Sequence, residues 1–161
     1  GVQVGPLIND DAIESVSSLV NQAISQGAKV LVGGHVDDLG SRFFQPTILT
    51  QVTPNMSVAR EEIFGPVAPL IEFETEKQVI AMANDTEVGL ASYIYTRDIG
   101  RVWRVSEALE YGMVGINEGI ISNEMAPFGG VKQSGMGREG SKYGLEDYLE
   151  IKYLCMGGLD H

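Results

Sequence analysis

Two hydrophobic periods alternate along this chain, and that alternation limits the folds open to it more than any other feature. Between residues 10 and 26, Ile13, Val16, Leu19, Val20, Ala23 and Ile24 recur at spacings of three and four, with Asn9 or Asp10 as a cap and Gly27 as a stop. That spacing gives a helix one apolar stripe. A strand is expected over residues 29–32, then a polar, glycine-rich loop through Gly40, then an edge-like extended segment over 43–52 interrupted by Pro46. A strand over 67–73 and a helix over 75–83 follow, with Val79, Ile80 and Ala83 inward and Asn84-Asp85 as its end. Next come a strand over 91–95, a helix over 98–110 that buries Ile99, Val102, Val105, Ala108 and Leu109, and a short strand over 113–116. Helices and strands in such alternation predict an α/β fold with helices packed over a sheet.

The 161 residues, 43% of them apolar, suffice for a domain with a real core. The apolar runs are all too short to span a membrane, and the start has no signal-peptide pattern. The chain opens on Gly1-Val2-Gln3 without a methionine, as if it began in the middle of a longer protein. Its 22 acidic and 11 basic residues give a formal charge of −11, which repels nucleic acid and anionic membranes and excludes both as partners. The same charge repels a carboxylate substrate at long range, so a site for one needs local basic groups or hydrogen-bond donors. A single cysteine excludes an intrachain disulfide and suits a reducing compartment, so a cytoplasmic protein is expected. His35, in a Gly33-Gly34-His35 loop, and His161, a final residue that reads as a tail or tag remnant, have no spacing that builds a metal site. Trp103, between Arg101 and Arg104, suggests either a cation- or nucleic-acid-binding surface or core or interface packing; its place beside a helical stripe favours packing.

The residues with most chemical promise are Glu61-Glu62-Ile63-Phe64-Gly65-Pro66. A carboxylate accepts two hydrogen bonds side by side, as vicinal ribose hydroxyls require, and a nearby aromatic ring can lie against a heteroaromatic base. Gly65 and Pro66 would fix the backbone that aims them. The alternative is a solvated glutamate pair followed by Phe64 as a core anchor, and composition alone favours that alternative. Residues 135–140 spell G-x-G-x-x-G, but no buried strand precedes them, no second strand and ribose-binding acid follow, and the chain ends about twenty residues later. Those glycines read as turn and close-packing residues. The whole of 117–140, with Pro127 and glycines at 129, 130, 135, 137 and 140, reads as a long functional loop.

The string Ala59-Arg60-Glu61-Glu62-Ile63-Phe64-Gly65-Pro66 resembles a signature of the NAD(P)-dependent aldehyde dehydrogenase family. The run from Pro127-Phe128-Gly129-Gly130 through Gly137-Arg138-Glu139 resembles that family's C-terminal segment, and the likeness covers essentially all 161 residues. Gly119-Ile120-Ile121-Ser122-Asn123-Glu124 and the ending Glu146 to Cys155 bring it nearest to succinate-semialdehyde dehydrogenases. The resemblance implies an open, twisted, mostly parallel sheet with flanking helices as part of the catalytic domain over residues 1–147, and an oligomerisation strand and tail over 148–161. It implies that Glu62 holds the nicotinamide ribose of NAD or NADP and Phe64 contacts the nicotinamide. It further implies that Ser122 hydrogen-bonds the distal carboxylate of an aldehyde substrate and Phe128 walls its tunnel. Arg138 falls in a segment that the family uses structurally. The full enzyme would be a homodimer or homotetramer.

The likeness is to the last third of such enzymes. Their nucleophilic cysteine, glutamate base and oxyanion-binding amides align before Gly1, so no catalytic residue is assigned here and the chain alone is expected to be inactive. Cys155 shares one face of an expected strand over 150–157 with Leu149, Ile151 and Tyr153, and nothing nearby lowers its pKa, so it reads as packed. The competing possibility is a free-standing, noncatalytic assembly or ligand-binding module with this fold.

Overall fold

The structure is a computed structural model that describes residues 4–158. Gly1, Val2, Gln3 and His161, on which the expectations about the chain's start and tail fall, lie outside the described residues. The chain divides into two compact units, residues 1–75 and 76–161. That division follows packing, whereas the expected boundary at 147/148 sets apart a segment by its role.

In the first unit, α1 (Asp10–Ser25) forms as its period requires, and the Asn9 side chain accepts the Ala12 N–H at 2.9 Å to cap it. Its apolar stripe buries Val16, Leu19, Val20 and Ala23, while Ile24 stays 42% exposed. Val16, Val20 and Ala23 meet Phe44, Leu49, Val52, Met56 and Val58 in one core, with Val16 and Leu49 fully buried. Strand β1 (Lys29–Val32) runs antiparallel to β2 (Thr47–Thr50), and β2 runs parallel to β3 (Val67–Pro69), in the order β1-β2-β3. The segment expected over 43–52 begins its strand only after Pro46, which lacks the N–H that a ladder needs; Phe44 makes one isolated bridge to Val36. Strand β3 likewise stops at Pro69, well short of Phe73.

In the second unit, β4 (Val88–Gly89) and β5 (Ala91–Ile94) lie between α3 (Glu76–Asn84) and α4 (Ile99–Ala108), and β6 (Met113–Ile116), β7 (Val131–Lys132) and a 3-10 helix at Tyr143–Tyr148 follow; the one-turn helix α2 (Ser57–Arg60) belongs to the first unit. Strands β5 and β6 are parallel, and β4 pairs antiparallel with β7. Val105 is buried, whereas Ile99 is 71% and Trp103 64% exposed, so Trp103 is not a core residue of this chain. Among the described residues, the expected single, mostly parallel sheet is replaced by three small open sheets with two parallel and two antiparallel pairings. Connectivity explains the parallel pairs. A parallel pair needs a crossover, and both parallel pairs have a helix between their strands, α2 for β2 and β3 and α4 for β5 and β6.

The strand expected over 150–157 does not form among the described residues. Residues 149–158 carry no strand or helix, Ile151, Tyr153 and Leu154 lie exposed, and Cys155 is exposed instead of packed. A strand requires a neighbouring edge, and residues 149–158 pair with none among the described residues. No helix among the described residues is long and apolar enough to cross a membrane.

Candidate functional site

In the first unit, α2 ends at Arg60, whose Nε donates to the Pro54 carbonyl at 2.6 Å. Glu61 leaves that turn in extended conformation, with φ −96° and ψ 147°. Ile63 turns inward and packs on the core, the place that the sequence offered to Phe64. Phe64 instead takes the left-handed region, φ 45°, and its side chain is 79% exposed. Behind it, Gly65 lies so close to α1 that a Cβ would stand 2.6 Å from Cγ2 of Val16. The Pro66 carbonyl then accepts the Thr47 N–H at 2.8 Å, and Val67 enters β3 opposite Thr47. The left-handed residue is therefore Phe64, and the glycine serves close approach.

This strip holds an aromatic ring in solvent against two preferences. A non-glycine residue in the left-handed region costs roughly 1–2 kcal/mol, and leaving a Phe side chain unburied forgoes about 1.5–3 kcal/mol. Anchors on both sides, Ile63 in the core and Gly65 against Val16, keep it there. Glu62, also exposed, stands two residues before the ring.

In the second unit, β6 leads into Asn117, which is left-handed at φ 54°. Its side-chain amide accepts the Thr96 N–H and donates to the Thr96 carbonyl, both at 2.8 Å, so it acts as one more rung between β5 and β6. The Glu118 carboxylate accepts the N–H groups of Gly119 at 2.9 Å and Ile120 at 3.1 Å, and the Ser141 N–H closes the far side on the Glu124 carbonyl at 2.9 Å. Ser122 is exposed within this braced loop. Phe128 is half-buried and exchanges two backbone hydrogen bonds with Glu139, at 2.9 and 2.7 Å. Its side chain belongs to an open cleft of about 470 Å³ that also involves Leu90, Met136, Arg138 and Tyr148. Ser122 is not part of that cleft's lining. Arg138 spans the cleft's floor: Nη1 donates to the carbonyls of Gly130 at 2.8 Å and Gly137 at 2.7 Å, the structural use expected of it.

Glu62 and Phe64 thus share one strip of the first unit, and Ser122 and Phe128 belong to neighbouring stretches of the second. Arg101 and Arg104, which with Trp103 suggested a cation- or nucleic-acid-binding surface as the alternative to packing, both bind Glu76, with Nε–Oε distances of 3.0 Å. Their hydrogen bonds, Arg104 first, hold the Glu76 carboxyl below its ordinary range. Sequence reasoning missed Asn117, whose side chain ties β5 to β6, and Lys132, whose ammonium meets Glu110 Oε2 at 2.6 Å. Both are left-handed, at φ 54° and 55°, and nothing in hydrophobic periodicity records that. Among the described residues no group of His, Cys, Asp or Glu is arranged to hold a metal.

The profile of the aldehyde dehydrogenase family matches residues 1–154. The 3-sulfolactaldehyde dehydrogenase of Pseudomonas putida is 61% identical over 160 residues, which are 99% of this chain and 33% of that protein. The NADP-dependent succinate-semialdehyde dehydrogenase of Escherichia coli is 61% identical over 157 residues, 98% of this chain and 33% of its own length. Among solved structures, succinate-semialdehyde dehydrogenase from Burkholderia pseudomallei superposes with a TM-score of 0.94 at 62% identity, over 97% of this chain and 32% of that one. The chain spans about a third of the length of the relatives it matches. With the motifs around Phe64 and Phe128 inside the matched span and the fold shared throughout, this chain belongs to the aldehyde dehydrogenase family.

Proposed function

We propose that these residues supply the nicotinamide-end contacts and part of the substrate wall of an enzyme that oxidises a short aldehyde bearing a distal anion, succinate semialdehyde foremost, to the acid. The exposed, left-handed Phe64 carries this reading. Its geometry suits a ring that must meet a flat ligand and has no use as a core residue. Glu62 accepts hydrogen bonds from the ribose hydroxyls of NAD or NADP, and Phe64 lies against the nicotinamide. The dinucleotide, when bound, supplies the hydride acceptor. Ser122 donates a hydrogen bond to the substrate's distal anion, and Phe128 excludes water along its apolar length. The names of the relatives support the substrate class, since succinate semialdehyde and sulfolactaldehyde both carry an anion away from the carbonyl. Nucleophile, general base and the adenosine end of the cofactor site lie beyond these 161 residues.

Residues 148–161 form the oligomerisation strand and tail of that enzyme, a homodimer or homotetramer. The exposed apolar Ile151, Tyr153, Leu154 and Met156 support this, because an extended segment apolar on both faces is suited to an edge in another subunit. A single exposed cysteine accords with a cytoplasmic setting.

The test is a graft in which these 161 residues replace the matching third of the Escherichia coli relative. Steady-state kinetics with succinate semialdehyde and an uncharged aldehyde of equal length then isolate Ser122. Ser122→Ala is expected to lower kcat/KM roughly tenfold for the semialdehyde, as loss of a hydrogen bond to a charged group does, and to leave the uncharged aldehyde unchanged. Equal losses for both substrates would remove Ser122 from the anion site. A graft without activity would favour the noncatalytic module.

A further inference from the structure

We propose that Lys132 is a positioning residue for the Phe128 wall, an inference that rests on the substrate-wall reading of Phe128. The Lys132 ammonium has three donors, and each meets an acceptor: Glu110 Oε2 at 2.6 Å, the Asn84 carbonyl at 2.8 Å and the Thr86 carbonyl at 3.1 Å. Asn84 is the last residue of α3, where helix carbonyls lack intrahelical partners and carry partial negative charge, so a lysine there satisfies both geometry and field. The backbone beside it is tied to the same turn. Lys132 faces Val88 in the β4–β7 pair, the Gln133 N–H donates to the Glu87 carbonyl at 2.9 Å, and Ser134 Oγ accepts the Gly89 N–H at 2.9 Å. Residues 131–134 are thereby clamped to the end of α3 and to β4.

Between this clamp and Phe128 stand only Gly129 and Gly130. Two consecutive glycines add no side chain that stiffens the span, and Arg138 Nη1 holds the Gly130 carbonyl at 2.8 Å, so the place of the Phe128 ring is set by that tie and by what holds each side of the pair. On one side are the two rungs to Glu139, and on the other is the Lys132 clamp. Lys132 itself is left-handed at φ 55°, a backbone that glycine would adopt without strain; what lysine adds is its ammonium.

Two measurements test this. In the full 161-residue chain, Lys132→Met is expected to speed amide exchange at Phe128 and Gln133 by about tenfold or more, while Val20 in α1 keeps its rate. Lys132→Arg restores slow exchange. Glu110→Gln stays within about threefold of the parent, because the two carbonyl bonds remain. The charge-swapped pair Lys132→Glu with Glu110→Lys stays fast, because the carbonyls have lost their donor. In the graft, Lys132→Met raises the aldehyde KM roughly three- to tenfold, with kcat and the cofactor KM unchanged, and Lys132→Arg restores it. Unchanged exchange in Lys132→Met, or faster exchange with an unchanged aldehyde KM, overturns the positioning role. An unsubstituted graft that is inactive fails at the functional reading, and the exchange measurement, which needs no turnover, separates that failure from loss of the clamp.

Discussion

At Phe64 and Gly65, adjacent residues divide two tasks, and Phe64 is not the core anchor that composition alone favoured. The glycine is the residue free to be left-handed, yet the phenylalanine takes φ 45° and the glycine is pressed against the fully buried Val16. Gly65→Ala should therefore destabilise the chain by about 1–3 kcal/mol, since the added methyl has nowhere to go without moving α1 or the strip. Phe64→Gly should change stability by less than about 1 kcal/mol, because relief of strain offsets the entropy of a new glycine and no buried area is lost. Urea unfolding of the two variants checks both; a larger loss in Phe64→Gly would make the ring a packing residue and remove the main support for a cofactor contact. The types of residue at this site were legible in the sequence, through a carboxylate and an aromatic two residues apart. That the ring sits outside was not, because its exposure is decided by Ile63 and Val16, partners that periodicity does not pair with the strip.

The elements themselves were largely legible, because each rests on local pattern. Helix α1 follows its stripe to within a residue, and β1, β5 and β6 fall where the apolar runs lie. Pairing was less so: β4 and β7 are two residues each and exist only through contacts between distant segments. The same holds for the tie between α3 and α4, where Glu76 reaches Arg101 and Arg104 across 25 and 28 residues. Because those arginines hold the Glu76 carboxyl below its ordinary range, the folded form binds its proton less readily than the unfolded chain. The tie contributes stability above the unfolded glutamate pKa and loses it as pH falls through the lowered folded value. Melting of the parent against Glu76→Gln should show the parent ahead at neutral pH and the two converging in acid, with the gap shrinking in high salt. A gap that does not depend on pH would mean that the ion pairs contribute nothing.

For the whole molecule, the decisive property is the split of labour between units. Most buried apolar residues lie in the first unit, which presents Glu62 and Phe64, while the second is built on glycine contacts and side-chain ties around the loops that carry Ser122 and Phe128. No combination of these groups makes a nucleophile, and the lone thiol, Cys155, stands exposed on a segment without regular structure. The 161-residue chain by itself should form no NAD(P)H from any aldehyde, and Cys155→Ala should change nothing; turnover abolished by that substitution would overturn this account of the cysteine. The most direct measurement is cofactor kinetics of the graft into the Escherichia coli relative, parent against Glu62→Ala and Phe64→Ala. The account predicts an active graft in which each substitution lowers turnover or raises the cofactor KM by about tenfold or more, the scale of a lost charged hydrogen bond or ring contact, with aldehyde KM little changed. An active graft in which both variants keep the parent's turnover and cofactor KM would contradict it.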